Sequence, residues 1–157
     1  MRVALITIVF ALAFTSADAQ VPGERDAVLK AVQVFFDTMT ARDVEGARQI
    51  LVPQGRFVAI DTVKKADPWS FSNEEYLARL KESKQVMRER IWNAEVRVHG
   101  AIATLWAPYD FWIDGKLSHC GVDAFDLIKT NEGWKLAGGA YTIEAGCAPS
   151  PLGPLKQ

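Results

Sequence analysis

The sequence predicts an α+β domain in which three N-terminal helices pack on one face of a curved antiparallel sheet. Three observations predict it. Apolar residues recur at helical spacing through the first part of the chain, the spacing changes to alternation near Met87, and two hairpin turns follow. The 157 residues are 49% hydrophobic and 24% charged, which suits a single core, and no internal repeat or linker divides them. A curved sheet closed on one side by helices encloses an apolar interior, and such concavities are where small molecules bind.

The chain opens on an address. Met1-Arg2 is a positive start, Val3 to Phe14 is an apolar run too short to span a bilayer comfortably, and Ala17-Asp18-Ala19 has the small residues of a cleavage site. Residues 1–19 therefore read as a secretory signal peptide rather than an anchor, and the protein is expected to be secreted or periplasmic. The domain is expected over 20–147.

Val28, Val32, Phe35 and Met39, flanked by Leu29, Ala31 and Phe36, form the broad apolar face of a first helix that ends near residues 40–42. Asp43 can cap a second, short helix carrying Ala47, Ile50 and Leu51, closed by Pro53 and Gly55. Phe57 to Asp61 reads as a strand, and Thr62 to Trp69 as a polar loop. Ser72 and Glu75 have capping-box spacing before a third helix with Tyr76, Leu77 and Leu80 inward.

From about Met87 the period becomes two, with Trp92, Ala94, Val96 and Val98 on one side. Ala101 to Ile113 and Lys116 to Lys129 are joined by Asp114-Gly115, residues that tolerate the positive φ of a tight hairpin. A second hairpin at residues 131–133 leads into Trp134 to Glu144. The tail, 148–157, has three prolines and a glycine and is expected to lie loose on the surface.

Eighteen basic residues face 19 acidic ones, giving a formal charge of -1. That balance offers no electrostatic footprint for nucleic acid or, once the signal is removed, for an anionic membrane. Cys120 and Cys147 are an even pair in an exported chain; they form one bridge or remain two small unpaired hydrophobes. No CxxC or Cys/His cluster offers a metal site, and no spacing suggests a cofactor.

Regular pairing about Asp114-Gly115 sets Trp112 opposite Leu117, Asp110 opposite His119, Pro108 opposite Gly121 and Trp106 opposite Asp123. In that register His119, Asp123, Phe125 and Leu127 share the concave face with Trp106, Trp112 and Asp110, while Tyr109 and Tyr141 point away. A single bulge would reverse the assignment. A carboxyl on that face would be desolvated and its pKa raised, preparing a general acid or a neutral hydrogen-bond donor. Asp123 and His119, with Asp110 orienting the imidazole, are the candidate catalytic residues; Trp106, Trp112, Phe125, Phe35 and Asp123 are the candidate ligand contacts.

The element order, with VQVFFDTMTARDVEGARQIL, YDFWIDGKLSHCGVDAFDLIKTNEGWKL and the closing AYT, resembles the SnoaL-like branch of the nuclear transport factor 2-like superfamily, in its exported, lumazine-binding type. The resemblance implies a conical barrel of nuclear transport factor 2-like (cystatin-like) fold with a central cavity, commonly dimeric. It implies no single activity, since members include cofactor-free isomerases, dehydratases, epoxide hydrolases and cyclases beside others that only bind or assemble. Of the steroid-isomerase machinery only Asp123 is matched. Phe35 stands where the helix-one tyrosine would be, and Ala59 where the base would be; Asp61, on the same side as Ala59, reads as the end of its strand.

The leading expectation is thus a binder of a small, largely apolar molecule, homodimeric and without cofactor. The alternatives are an acid/base enzyme built on Asp123 with His119, and an assembly module.

Overall fold

The computed structural model describes residues 23–65 and 67–155; the expected signal peptide lies outside them. Among the described residues no helix is long and apolar enough to cross a membrane.

Helix α1, Glu24–Ala41, buries Val28, Ala31, Val32, Phe35, Phe36 and Met39, the 3.6-residue face read from the sequence. Its N-cap, Gly23, has no side chain to offer. Glu24 instead ties the first turn to the sheet, accepting from Trp134 Nε1 at 2.9 Å and pairing with Lys129. Arg42 ends the helix in the left-handed region, and Asp43 caps α2, Val44–Ile50, by accepting from the Gly46 amide. Helix α3, Asn73–Glu82, starts with both halves of the Ser72/Glu75 capping box and buries Leu77 and Leu80.

Seven strands follow or interleave: β1 Leu51–Asp61, β2 Trp69–Ser72, β3 Met87–Ile91, β4 Glu95–His99, β5 Ile102–Ile113, β6 Lys116–Thr130 and β7 Gly133–Ile143. The sheet order is β2-β1-β7-β6-β5-β3, with β4 also on β5. Strands β3 and β4 therefore share one long partner, interrupted at residues 92–94, where Asn93 takes a positive φ. Phe36, Phe125, Leu105, Leu127 and Leu136 pack in the core between α1 and the concave face. The first hairpin turns at Asp114 (φ 50) and Gly115 (φ 77) as expected.

Three expectations are corrected. The sheet is mixed, because β1 runs parallel to β7 from Arg56↔Gly138 to Asp61↔Ile143. Pro53 and Gly55 lie inside β1 instead of closing a helix. The ladder to β7 shifts between Leu51 and Arg56, where Pro53 has no N–H to donate, and a Cβ on Gly55 would come within 2.1 Å of the Ala137 carbonyl oxygen. Nor is the tail free along its length. Cys120 and Cys147 form a disulfide, with Cα atoms 5.7 Å apart, and Arg90 donates to the Gly153 carbonyl at 2.9 Å.

Candidate functional site

The cone encloses a cavity of about 360 Å³. Helix α1 contributes Phe35 and Met39, β1 and β2 contribute Phe57 and Phe71, and α3 contributes Tyr76, Arg79 and Leu80. The rest of the wall is Met87 and Glu89 from β3, Tyr109 and Phe111 from β5, His119, Asp123 and Phe125 from β6, and Tyr141 and Ile143 from β7, with Ser83 beside them. Phe35 stacks on Phe57 at 5.9 Å, meets Tyr76 at 5.3 Å and takes Phe125 edge-on at 6.4 Å, so the deep wall is a connected aromatic cluster.

One extra residue decides which strand residues face this space. Trp112 pairs with Leu117, as regular pairing requires, but Phe111 pairs with His119, leaving Ser118 as a bulge. Beyond it every partner on β5 is displaced by one. Asp110 meets Cys120, Pro108 meets Val122, and Asp123 meets Ala107 instead of Trp106. Side-chain direction follows the pleat, so Tyr109 and Phe111 turn inward while Asp110 and Trp112 turn out.

The expected partnership of His119 with Asp110 is therefore overturned. Asp110 is buried on the outer side, where it accepts from Arg90 Nε at 2.8 Å and from Arg90 Nη2, and Arg90 also lies over Trp112. Trp106, expected in the cavity, is 47% exposed in a groove on the outer sheet face beside Arg56 and Arg97. Trp112 likewise does not line the cavity. His119, Asp123, Phe125 and Phe35 do, and Tyr109 and Tyr141, expected elsewhere, join them.

Glu89 is the cavity carboxyl that sequence reasoning missed. The alternation Met87, Glu89, Ile91 sends it inward between Arg88 and Arg90. Its carboxyl lies within hydrogen-bond reach of that of Asp123, which is 1% exposed and whose Oδ2 finds no protein donor. Two carboxylates cannot bond to each other without a proton between them. Burial raises both pKa values: Asp123 well above its ordinary range, with the Glu89 charge adding to the effect, and Glu89 to about 7. The two titrate as a unit that keeps a shared proton near neutrality.

Tyrosines surround the pair. Burial raises the hydroxyl pKa of Tyr76, Tyr109 and Tyr141, and the negative field of Glu89 adds to each. Tyr109 donates to the Thr142 carbonyl at 2.6 Å, whereas the buried Tyr76 hydroxyl has no hydrogen-bond partner among the described residues. His119 stacks on Phe111 at 4.8 Å and meets Ser118 Oγ through Nδ1 at 3.0 Å. Burial lowers its pKa and the charge of Asp61 opposes that, so the ring is neutral at pH 7. Asp61 itself accepts from the amides of Val63 and Lys64, capping the turn after β1. Among the described residues no group of three His, Cys, Asp or Glu side chains is placed to hold a metal ion.

Residues 23–142 match the family described as putative lumazine-binding. No curated protein matches the chain. Among solved structures, a nuclear transport factor 2-like protein from Cytophaga hutchinsonii superposes with a TM-score of 0.65 at 14% identity, covering 76% of this chain and 98% of its own. One from Streptomyces avermitilis, described as a putative dehydratase of that family, gives 0.61 at 17%, covering 77% and 96%. A third, from Novosphingobium aromaticivorans and described as a putative aromatic ring hydroxylase, gives 0.62 at 16%, covering 79% and 92%. At these identities the likeness establishes the fold, the nuclear transport factor 2-like cone.

Proposed function

The chain belongs to the putative lumazine-binding family within the nuclear transport factor 2-like superfamily, and from that premise we propose that it binds a small, largely apolar ring compound inside the cone, without turnover. The observation that carries this reading is the cavity itself: about 360 Å³, walled by aromatic side chains, with a carboxyl pair of buried Asp123 and half-buried Glu89. A pocket of that size and lining gains affinity from burying a ring and orientation from a few polar atoms. On the resemblance, Phe35 and Ala59 stand where the isomerase hydroxyl and base would be, which favours binding over isomerisation.

A titration with lumazine and neutral bicyclic aromatics, followed by NMR, tests the proposal. Shifts concentrated at Phe35, Phe125 and Tyr141 are expected. Shifts confined to the groove around Trp106, or none, would overturn it.

A second reading is acid/base catalysis by Asp123 with His119. It is favoured by one arrangement: a buried carboxyl whose pKa is raised by burial and an imidazole whose pKa is lowered by burial line the same cavity. It requires Asp123→Asn and His119→Ala to abolish turnover of a cavity ligand without loss of folding. Export through residues 1–19 and pairing of two copies through the outer sheet face complete the proposal. The disulfide supports an oxidising compartment, and exposed Val58, Trp106 and Ile128 support a covered face.

A further inference from the structure

We infer that the cavity selects a ligand carrying a cationic amine, held by Glu89 and Asp123 and boxed by the aromatic walls. This rests on the cavity-binding reading above and adds the charge of the occupant.

The argument is one of unmatched charge. Two carboxyl groups face each other in an apolar enclosure, and neither has an ion-pair partner among the described residues. Asp110, the third acid nearby, shows the contrast: buried on the other side of the sheet, it is matched by Arg90. A buried carboxylate persists when paired, and otherwise takes a proton. Arg79 is the cation in the cavity wall, and among the described residues no ion pair joins it to either carboxyl. Tyr109, Tyr141 and Tyr76 are neutral hydroxyls, and α1 presents apolar Phe35 and Met39. His119 is held neutral, and the exposed Arg79 lies over Phe71. A proton therefore stands in the place that an ammonium group would fill with stronger hydrogen bonds. Phe35, Phe57 and Tyr76 line the same volume, and aromatic rings are the second component of an ammonium site.

The inference has a signature that a neutral ligand would not give. An ammonium replaces the shared proton, so binding releases protons and tightens as the pH rises from about 5.5 to about 8, while the amine remains charged. A carbonyl ligand, accepting from the protonated pair, would weaken over the same interval.

Calorimetric titration of the whole mature protein with tryptamine, tryptophol and indoleacetate tests this, since the three share a ring and differ in head group. Tryptamine is expected to bind about ten-fold or more tightly than tryptophol, with indoleacetate weakest. Glu89→Gln and Asp123→Asn should each erase the amine preference, so that tryptamine and tryptophol bind the variant with similar affinity. Tryptophol binding as tightly as tryptamine, or a tryptamine affinity that falls with rising pH, would overturn the amine inference and leave the cavity reading standing. If none of the three binds while lumazine or a neutral bicyclic aromatic shifts the cavity residues, the amine inference alone fails; if those ligands do not bind either, both readings fail. Should either variant not fold, the wild-type order of affinities and its pH dependence still decide the question.

Discussion

Glu89 and Asp123 bring their carboxyl groups together inside the cone although β5 separates their strands in the sheet. The curl of the sheet closes that gap, and burial then makes the pair a proton store.

The store has a stability consequence. Both carboxyl pKa values are higher in the folded chain than in the unfolded one, so between the ordinary carboxylate range and about pH 7 the folded state holds more protons. Stability therefore falls as pH rises through that window. Urea unfolding at pH 5 and pH 8 should show a loss of roughly 1–3 kcal/mol, and Asp123→Asn should flatten the slope. An unchanged slope in the variant would remove Asp123 from the explanation.

Asp110→Asn should lower stability by about 2 kcal/mol, because it leaves the half-buried Arg90 without its counter-charge. Ligand affinity should hold, since Asp110 is outside the cavity. Chemical denaturation and a binding titration on the same variant check both halves; lost affinity with unchanged stability would return Asp110 to the site.

His119 should titrate below an ordinary histidine in NMR, because its burial disfavours the charged ring. Asp61→Asn should lower it further by removing the opposing charge. The folded state thus binds fewer protons at this group, and its contribution to stability is lost as pH falls below the ordinary imidazole value. A titration at or above that value would contradict the buried placement.

Removing the Cys120–Cys147 bridge, which closes a separation of 27 residues, should cost about 3 kcal/mol. Denaturation with and without reductant measures it. The same treatment should free the segment beyond Cys147, detected by faster proteolysis near Ala148.

Much of this was legible in the sequence because the deciding signals are local. Helical spacing marked α1, Ser72 and Glu75 marked the start of α3, and Asp114-Gly115 fixed the hairpin turn. Asp123 was read as inward because pleat alternation ties it to Phe125 and Leu127 on the same strand. The errors are non-local. Ser118 carries no sign that it is the unpaired residue, yet it moves Asp110 and Trp106 outward and Tyr109 inward. Glu89 was hidden because its neighbours Arg88 and Arg90 make β3 look solvated; the flanking Met87 and Ile91 were the available clue. The parallel pairing of β1 with β7 joins segments about 80 residues apart, which no periodicity reports.

The most direct test is a crystal structure of the protein with a bound aromatic amine such as tryptamine. Density between Phe35 and Tyr141, with the ligand nitrogen within hydrogen-bond distance of Asp123 and Glu89, is the predicted result. Density only in the groove beside Trp106, or a cavity closed by its own side chains, would contradict the account.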